Sequence, residues 1–303
     1  KREVVEVLSP GTALSDKFLD QKENNYLCAV VFEKRKCGIA ILDYSTGEFY
    51  TCSRNHEDLR SMLKQFHVSE VIISEDQEND LRNLTRGEEI FITTIPDWCI
   101  SFDTAYESLT DFFNVSSLKG FGIEDDTLAI TSAGCALYYV DKNFQGRIKH
   151  IQSLSLLQQE GIMSLDAFTI RNLEIFKSLS TQGIHGTLVD TIDQTITSSG
   201  GRLLKNWMRQ PLTNPIKINE RLDRISEFIN NSELNESMQN ILRETSDLER
   251  ILAKVASGKA NPRDIINAGN TLAKIPTIKK LVNKDNPVLK KLVKRFENSN
   301  AIT

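Results

Sequence analysis

Tyr26-Leu27-Cys28-Ala29-Val30-Val31-Phe32, then Glu33-Lys34-Arg35-Lys36-Cys37, then Gly38-Ile39-Ala40-Ile41-Leu42-Asp43-Tyr44-Ser45-Thr46-Gly47-Glu48-Phe49-Tyr50-Thr51-Cys52, is the stretch that decides the fold. Residues 26–32 are an apolar run rich in β-formers, bounded by Asn24-Asn25 and by a block of charge, which reads as a strand. Residues 38–44 form a second run. Ser45-Thr46-Gly47 is turn chemistry, and 48–52 follows as a third strand, so the three read as an antiparallel meander.

Outward from the meander, strands and helices are interleaved. Leu59, Met62, Leu63 and Phe66 recur at i, i+3, i+4, i+7, which predicts an amphipathic helix over 56–66. Residues 71–74 are a short buried-type strand, 79–84 a short helix, and 90–95 a strand stopped by Pro96. Helices are expected over 103–113 and 127–140. In the first, Phe102, Tyr106, Leu109 and Phe113 are expected to face the sheet. Strands followed by helical crossovers imply a mixed sheet with helices packed on it.

The second half changes character near residue 151, where strand patterns vanish. Residues 151–161, polar and apolar without a period, read as the linker. A helix is expected over 166–179 through Phe168, Leu173, Phe176 and Leu179, and another over 199–208 with Leu203, Leu204 and Trp207 on its apolar side. Asn214-Pro215 and Asn261-Pro262 are cap-then-proline helix starts, 247–256 carries Leu248, Ile251, Leu252 and Val255 on one face, and Asn286-Pro287 opens a last helix.

Composition bounds the function. The chain of 303 residues is 40% hydrophobic and 26% charged, a size and balance suited to two soluble domains. No apolar run approaches the ~18 residues a membrane span needs, and a cytoplasmic protein without membrane contact is expected. The five cysteines, Cys28, Cys37, Cys52, Cys99 and Cys135, are odd in number and contain no C-x-x-C pair, which argues for reduced buried thiols over disulfides or zinc. His56, His67, His150 and His185 are scattered. Residues 1–150 hold 16 Lys and Arg against 25 Asp and Glu, a net −9, and 151–303 hold 21 against 16, a net +5. Residues 274–295 alone carry eight basic side chains and one acidic one. That run is either a solvated helix face or a surface turned toward a polyanion.

Motifs for chemistry are missing. Ser198-Ser199-Gly200-Gly201-Arg202 lacks the G-x-x-x-x-G-K-[ST] frame of a phosphate loop, and Gly120-Phe121-Gly122 lacks the third glycine of a dinucleotide fingerprint. RNase H-like folds also begin with three antiparallel strands, but their nucleases need a carboxylate inside the first strand to help hold two metal ions. Residues 26–32 contain none, and Glu33 comes only at the end. Read physically, the chain is an acidic α/β unit followed by a basic all-α unit.

Several blocks stand out when taken in order. They are Glu3-Val4-Val5-Glu6-Val7-Leu8-Ser9-Pro10-Gly11-Thr12; Met163-Ser164-Leu165-Asp166-Ala167-Phe168-Thr169-Ile170-Arg171-Asn172-Leu173-Glu174; Gly200-Gly201-Arg202-Leu203-Leu204-Lys205-Asn206-Trp207-Met208-Arg209-Gln210-Pro211-Leu212; Arg221-Leu222-Asp223; and Asp247-Leu248-Glu249-Arg250-Ile251-Leu252-Ala253-Lys254-Val255-Ala256, continued by Ala260-Asn261-Pro262-Arg263-Asp264. Together they span nearly the whole chain, and in this order they resemble the bacterial MutS family of mismatch-repair proteins.

The resemblance implies an internal piece of such a protein. Residues 1–12 would end the mismatch-recognition domain, 13–150 form an RNase H-like connector, 151–161 link, and 162–303 open the helical core and lever. It implies a relay with no enzymatic activity or cofactor of its own. The mismatch wedge would precede Lys1, and the clamp and the ATPase with its ATP and magnesium would follow Thr303. Mismatched double-stranded DNA, MutL and a second MutS subunit are the implied partners of the whole protein, with Glu107, Ser108 and Asp111 as the MutL-docking candidates. Asp166, Arg171, Arg202, Asp247, Arg250 and Arg263 read as structural charges that tie helices together through bidentate pairs. The rival readings are a helical or α/β interaction scaffold unrelated to repair and an RNase H-like nucleic-acid enzyme.

The missing phosphate loop makes a first prediction. Titration of this chain with magnesium and ATP in a calorimeter should give no saturable heat, and a saturable isotherm would contradict it.

Overall fold

The run at 26–32 forms a strand one residue later, over Leu27–Glu33, at the centre of a six-stranded sheet of order β5-β4-β1-β2-β3-β6. The strands are β1 (Leu27–Glu33), β2 (Lys36–Asp43), β3 (Glu48–Asn55), β4 (Glu70–Ser74), β5 (Ile92–Ile95) and β6 (Ser155–Leu156). In this computed structural model residues 9–15, 19–157, 161–163, 165–181, 183–282 and 288–289 are described. β1, β2 and β3 are the antiparallel meander, with Leu27 opposite Leu42 and Ile39 opposite Cys52. β4 joins β1 in parallel, β5 joins β4, and β6 joins β3.

The helices of this part are α1 (His56–Gln65), α2 (Glu78–Leu84), α3 (Phe102–Phe113) and α4 (Thr127–Phe144). Both sheet faces are covered, which explains why β1 reads as unbroken apolar sequence instead of an alternation. Leu27, Ala29 and Val31 point into a core shared with α4. Cys28, Val30 and Phe32 point into a second core with Leu59, Met62 and Leu63 of α1 and Leu81 of α2. α4 lies between the sheet and α3, so it is buried nearly all round and needs small side chains. Ala129, Ser132, Ala133, Gly134 and Ala136 supply them.

The helical part follows as α5 (Ala167–Asn172), α6 (Leu188–Ile192), α7 (Ser198–Arg209), α8 (Pro215–Asn230), α9 (Ser232–Arg243), α10 (Leu248–Ala256), α11 (Pro262–Leu272) and α12 (Ile275–Val282). Its starts are capped by side chains. Thr197 accepts from Gly200 N–H, Asn214 from Ile216, Asn231 from Leu234, Asp247 from Arg250, and Asn261 forms a capping box with Asp264. No described helix is long and apolar enough to cross a membrane.

Three expectations change. α3 faces α4 and not the sheet: Ala105 and Leu109 are its buried residues, while Phe102 stays 37% exposed, and Tyr106 turns its hydroxyl to Glu124 at 3.0 Å. Periodicity located the inward face but not what it packs on. The helix expected over 166–179 stops at Asn172. Glu174 takes a left-handed φ of 46°, and Ile175 N–H returns to Ile170 O at 3.2 Å, a Schellman-type stop without its usual glycine. The stop lets Ile175 and Phe176 bury with Ile170 and Val189. Residues 151–161, read as linker, contribute β6, and Leu157 N–H donates to Thr51 O at 2.9 Å. α6 and α9 also form, without having been expected from the sequence. Residues 3–8 of the first family block, the last helix from Asn286-Pro287 apart from 288–289, and the basic run beyond 282 lie outside the described residues.

The α3–α4 contact is tight enough to test. A Cβ built on Gly134 would sit 2.4 Å from Ala105 Cβ, whereas one on Gly120 meets nothing within 4 Å. Gly134→Val should therefore destabilise by about 1–3 kcal/mol in urea unfolding through overpacking. Gly120→Ala should change little. Equal midpoints for the two variants would contradict the packing.

Candidate functional site

α7 is amphipathic with its faces reversed. Arg202, Lys205 and Arg209 recur at i, i+3, i+7 and share one side of the helix. All three are buried, Arg202 to 1% exposure. Leu203 and Trp207, expected on the apolar inner side, are 51% and 38% exposed among the described residues. Arg221 of α8 stacks over the Trp207 ring with its guanidinium carbon 3.8 Å from the centroid.

Each buried cation has a defined receiver. Arg202 makes a bidentate pair with Asp247, Nη1 to Oδ2 at 2.7 Å and Nη2 to Oδ1 at 2.8 Å. It adds Glu249 Oε2 at 2.5 Å and the Gln21 carbonyl at 2.9 Å. Arg250 of α10 donates to the carbonyls of Asp20 at 2.8 Å and Glu23 at 2.6 Å. Lys205 pairs with Glu23 at 2.8 Å. Among the described residues Arg209 has no carboxylate at hydrogen-bond distance. It donates to Asn206 Oδ1 at 3.2 Å and His67 Nδ1 at 3.3 Å, and lies over the Phe176 ring at 4.9 Å. Tyr26 gives its hydroxyl to Glu48 at 2.7 Å, and Asn206 reaches the same carboxylate at 3.4 Å. Residues 20–26, Glu48 and His67 come from the sheet part, so the row joins the two parts.

The electrostatics follow from burial against pairing. Burial alone would raise the Asp247 carboxyl, but hydrogen bonds and charge from Arg202 outweigh it and hold it low. Burial works against the Arg202 cation, and Asp247 with Glu249 outweighs that too, so its proton is held more firmly than usual. Glu23 behaves like Asp247, with Lys205 as the partner. For Arg209 burial wins and the pKa falls. His67 is pushed down to about 4 by burial, helped by the Arg209 charge. A ring kept neutral leaves Nδ1 free to accept from Arg209, in agreement with the geometry. Such pairs add modest net stability, because burying the charges is itself costly. Removing one partner costs about 3–5 kcal/mol. The row therefore fixes one arrangement of the two parts more than it adds free energy.

Of the residues singled out from sequence, Arg202, Asp247 and Arg250 come together here. Asp166 caps α5 by accepting Thr169 N–H at 2.6 Å, and Arg171 and Arg263 are exposed. Glu107 and Asp111 are exposed on α3 and Ser108 is half-buried. None of these belongs to the row. Lys205, Arg209, Glu23, Glu48 and His67 were missed. The i, i+3, i+7 cations were the available signal, overlooked because a basic stripe ordinarily faces solvent.

The Ser198–Arg202 stretch makes no phosphate cradle. Thr197 already caps the Gly200 N–H at 3.1 Å, and a Cβ on Gly201 would meet Lys22 side-chain carbons at 2.8–3.0 Å. Among the described residues no three His, Cys, Asp or Glu converge to hold a metal ion. All five cysteines are buried and free, and burial pushes the Cys52 thiol up to about 11 and those of Cys37 and Cys135 to about 12.

Comparison with known proteins matches these two parts separately. A family profile described as MutS domain II matches residues 25–152, and one described as MutS domain III matches residues 168–301. Curated relatives named DNA mismatch repair protein MutS align along nearly the whole chain. The one from Flavobacterium psychrophilum is 37% identical over 281 residues, 93% of this chain and 32% of its own length. Those from Christiangramia forsetii and Cytophaga hutchinsonii are 38% and 36% identical over 97% and 98% of this chain, and 33% and 34% of their own lengths. The chain thus spans about a third of the length of these relatives.

His67 gives the junction a measurable pH dependence. The folded ring stays neutral down to about pH 4, while the unfolded one takes up a proton near 6.5. Between these values the unfolded state binds more protons, so this contribution is complete above 6.5 and is lost as pH falls toward 4, by up to about 3 kcal/mol. His67→Asn keeps a residue that tolerates the left-handed φ of 49°. Unfolding free energies measured from pH 7 to 4 should fall less steeply in that variant than in the parent, and parallel curves would contradict the assignment.

Proposed function

The chain belongs to the MutS family of DNA mismatch repair proteins, and on that premise we propose that it is the relay of a longer repair protein, with the sheet part as connector and the helices as the start of the core and lever. The observation that carries this reading is the buried cationic row between the two parts. An apolar contact tolerates sliding, whereas the Lys205–Glu23 pair and the carbonyls of Asp20, Gln21 and Glu23 hold one register, with Arg202 oriented within the helical part by Asp247, so a turn of one part is passed to the other as a rigid-body motion.

In this reading the whole protein is a cytoplasmic bacterial homodimer that binds mismatched double-stranded DNA. ATP and magnesium are handled by a domain outside this chain. The connector is the MutL-docking domain, and the exposed acidic face of α3, Glu107 and Asp111 with half-buried Ser108 beside them, is the docking surface. The acidic balance of residues 1–150 favours encounter with a basic patch on the partner.

The test is a double reversal, Glu107→Lys with Asp111→Lys. Both side chains are exposed, so folding should change by only about 0.5 kcal/mol or less. MutL binding, measured by calorimetry or pull-down, should weaken markedly. Unchanged MutL binding by a folded variant would move the docking surface off α3.

A further inference from the structure

The chain leading into β1 is gripped at two places. At the first, Ser9 to Thr12 lies across the starts of β1 and β4 on Glu70, a fully buried carboxylate. Its Oε2 accepts the Gly11 N–H at 2.9 Å and the Ser9 hydroxyl, and its Oε1 accepts the hydroxyls of Thr93 at 2.6 Å and Tyr139 at 2.7 Å. A carboxylate offers about four lone-pair sites, and these donors use them. They come from the leading segment, β5 and α4, so one side chain ties three pieces of backbone together. The fit allows no side chain at Gly11, where a Cβ would meet Leu27 Cβ at 2.8 Å and Glu70 Cβ at 2.9 Å. Asn25 also donates to the Pro10 carbonyl at 2.8 Å.

The second grip is the junction. The carbonyls of Asp20, Gln21 and Glu23 receive Arg250 and Arg202, and the Glu23 carboxylate receives Lys205. Leu14 and Leu19, between the two grips in sequence, are both buried. The two grips also touch directly: Asn25, two residues beyond the Glu23 acceptor, holds the Pro10 carbonyl and accepts from the hydroxyl of Ser69, the neighbour of Glu70, at 2.8 Å.

We infer that Glu70 is a positioning residue for the contact between sheet and helices: by fixing residues 9–12 it steadies, through the Asn25–Pro10 contact, the acceptors on residues 20–23, and loosening either grip loosens the other. A carbonyl is a useful acceptor only within a few tenths of an ångström and a limited cone, so a shift of the leading segment weakens what Arg202 and Arg250 hold. Linkage makes the coupling reciprocal. The inference concerns this chain alone and stands whether or not α3 docks MutL.

Amide hydrogen exchange on this chain tests it. Glu70→Ala should speed exchange at Gly11 and at the Lys22 and Glu23 amides by about tenfold, within the range usual for coupled sites, while Val30 and Ile39 in the central strands stay protected. Glu70→Gln should restore slow exchange at both grips. Its amide oxygen can take the Gly11 N–H, and its NH₂ can donate to Thr93 and Tyr139, whose hydroxyls are free to turn and accept. Conversely, Arg250→Ala should speed exchange at Gly11. If Glu70→Ala does not fold, Ser9→Ala, which removes a single donor, is measured at the same amides and is expected to shift both grips in the same direction. Faster exchange confined to residues 9–12, or no change at either grip, would overturn the inference.

Discussion

Burying a positive charge costs more free energy than almost any other single event in folding, and among the described residues four cations are buried along one seam. Arg202, Lys205, Arg209 and Arg250 are all withdrawn from water where α7 and α10 meet the sheet part. The structure is arranged around meeting that cost. Asp247 serves twice, as N-cap of α10 and as bidentate partner of Arg202. Glu23 does the same with its carbonyl for Arg250 and its carboxylate for Lys205. Because Glu23 meets two of these cations at once and Asp247 fixes a third, few other arrangements of the two parts satisfy the same charges. Outside the seam, the helical part exposes Leu203, Trp207 and other large apolar side chains of the described residues.

The sheet provides the fixed side of the seam. Its centre is buried on both faces, and α4 locks it to α3 through a contact only glycine permits. Tyr26, Glu48 and His67 are therefore presented from rigid positions. Arg209, which has no carboxylate at bonding distance among the described residues, is held by the neutral His67 ring, the Asn206 amide and the Phe176 face. This is a softer anchor than the Arg202 pair, and it makes the row unequal along its length.

Much of the sheet part was legible because its signals are local. A β-rich run, a charged turn, Ser45-Thr46-Gly47 and the spacing of Leu59, Met62, Leu63 and Phe66 each fix a structure within a few residues. The family was legible from ordered blocks, as the matches to MutS domains II and III bear out. The seam was not legible as a whole. Arg202 and Arg250 could be picked out, but their acceptors on residues 20–23 are backbone carbonyls far along the chain, which carry no sequence signature. The inverted face of α7 was hidden by the usual rule that apolar residues point inward. The stop after Asn172 was hidden because Glu174 takes the left-handed turn that glycine normally announces.

The cationic row makes sheet and helices one cooperative unit, and the two tryptophans make that cooperativity measurable. Trp98 lies in the sheet part and Trp207 on α7. Trp98→Phe and Trp207→Phe therefore yield two single-probe proteins whose urea unfolding can be followed by fluorescence. The two probes should report coincident transitions in the otherwise native chain, and separated transitions once Arg202→Met is added to each. Transitions that are already separate in the native chain, or that stay coincident and unshifted with Arg202→Met, would contradict it.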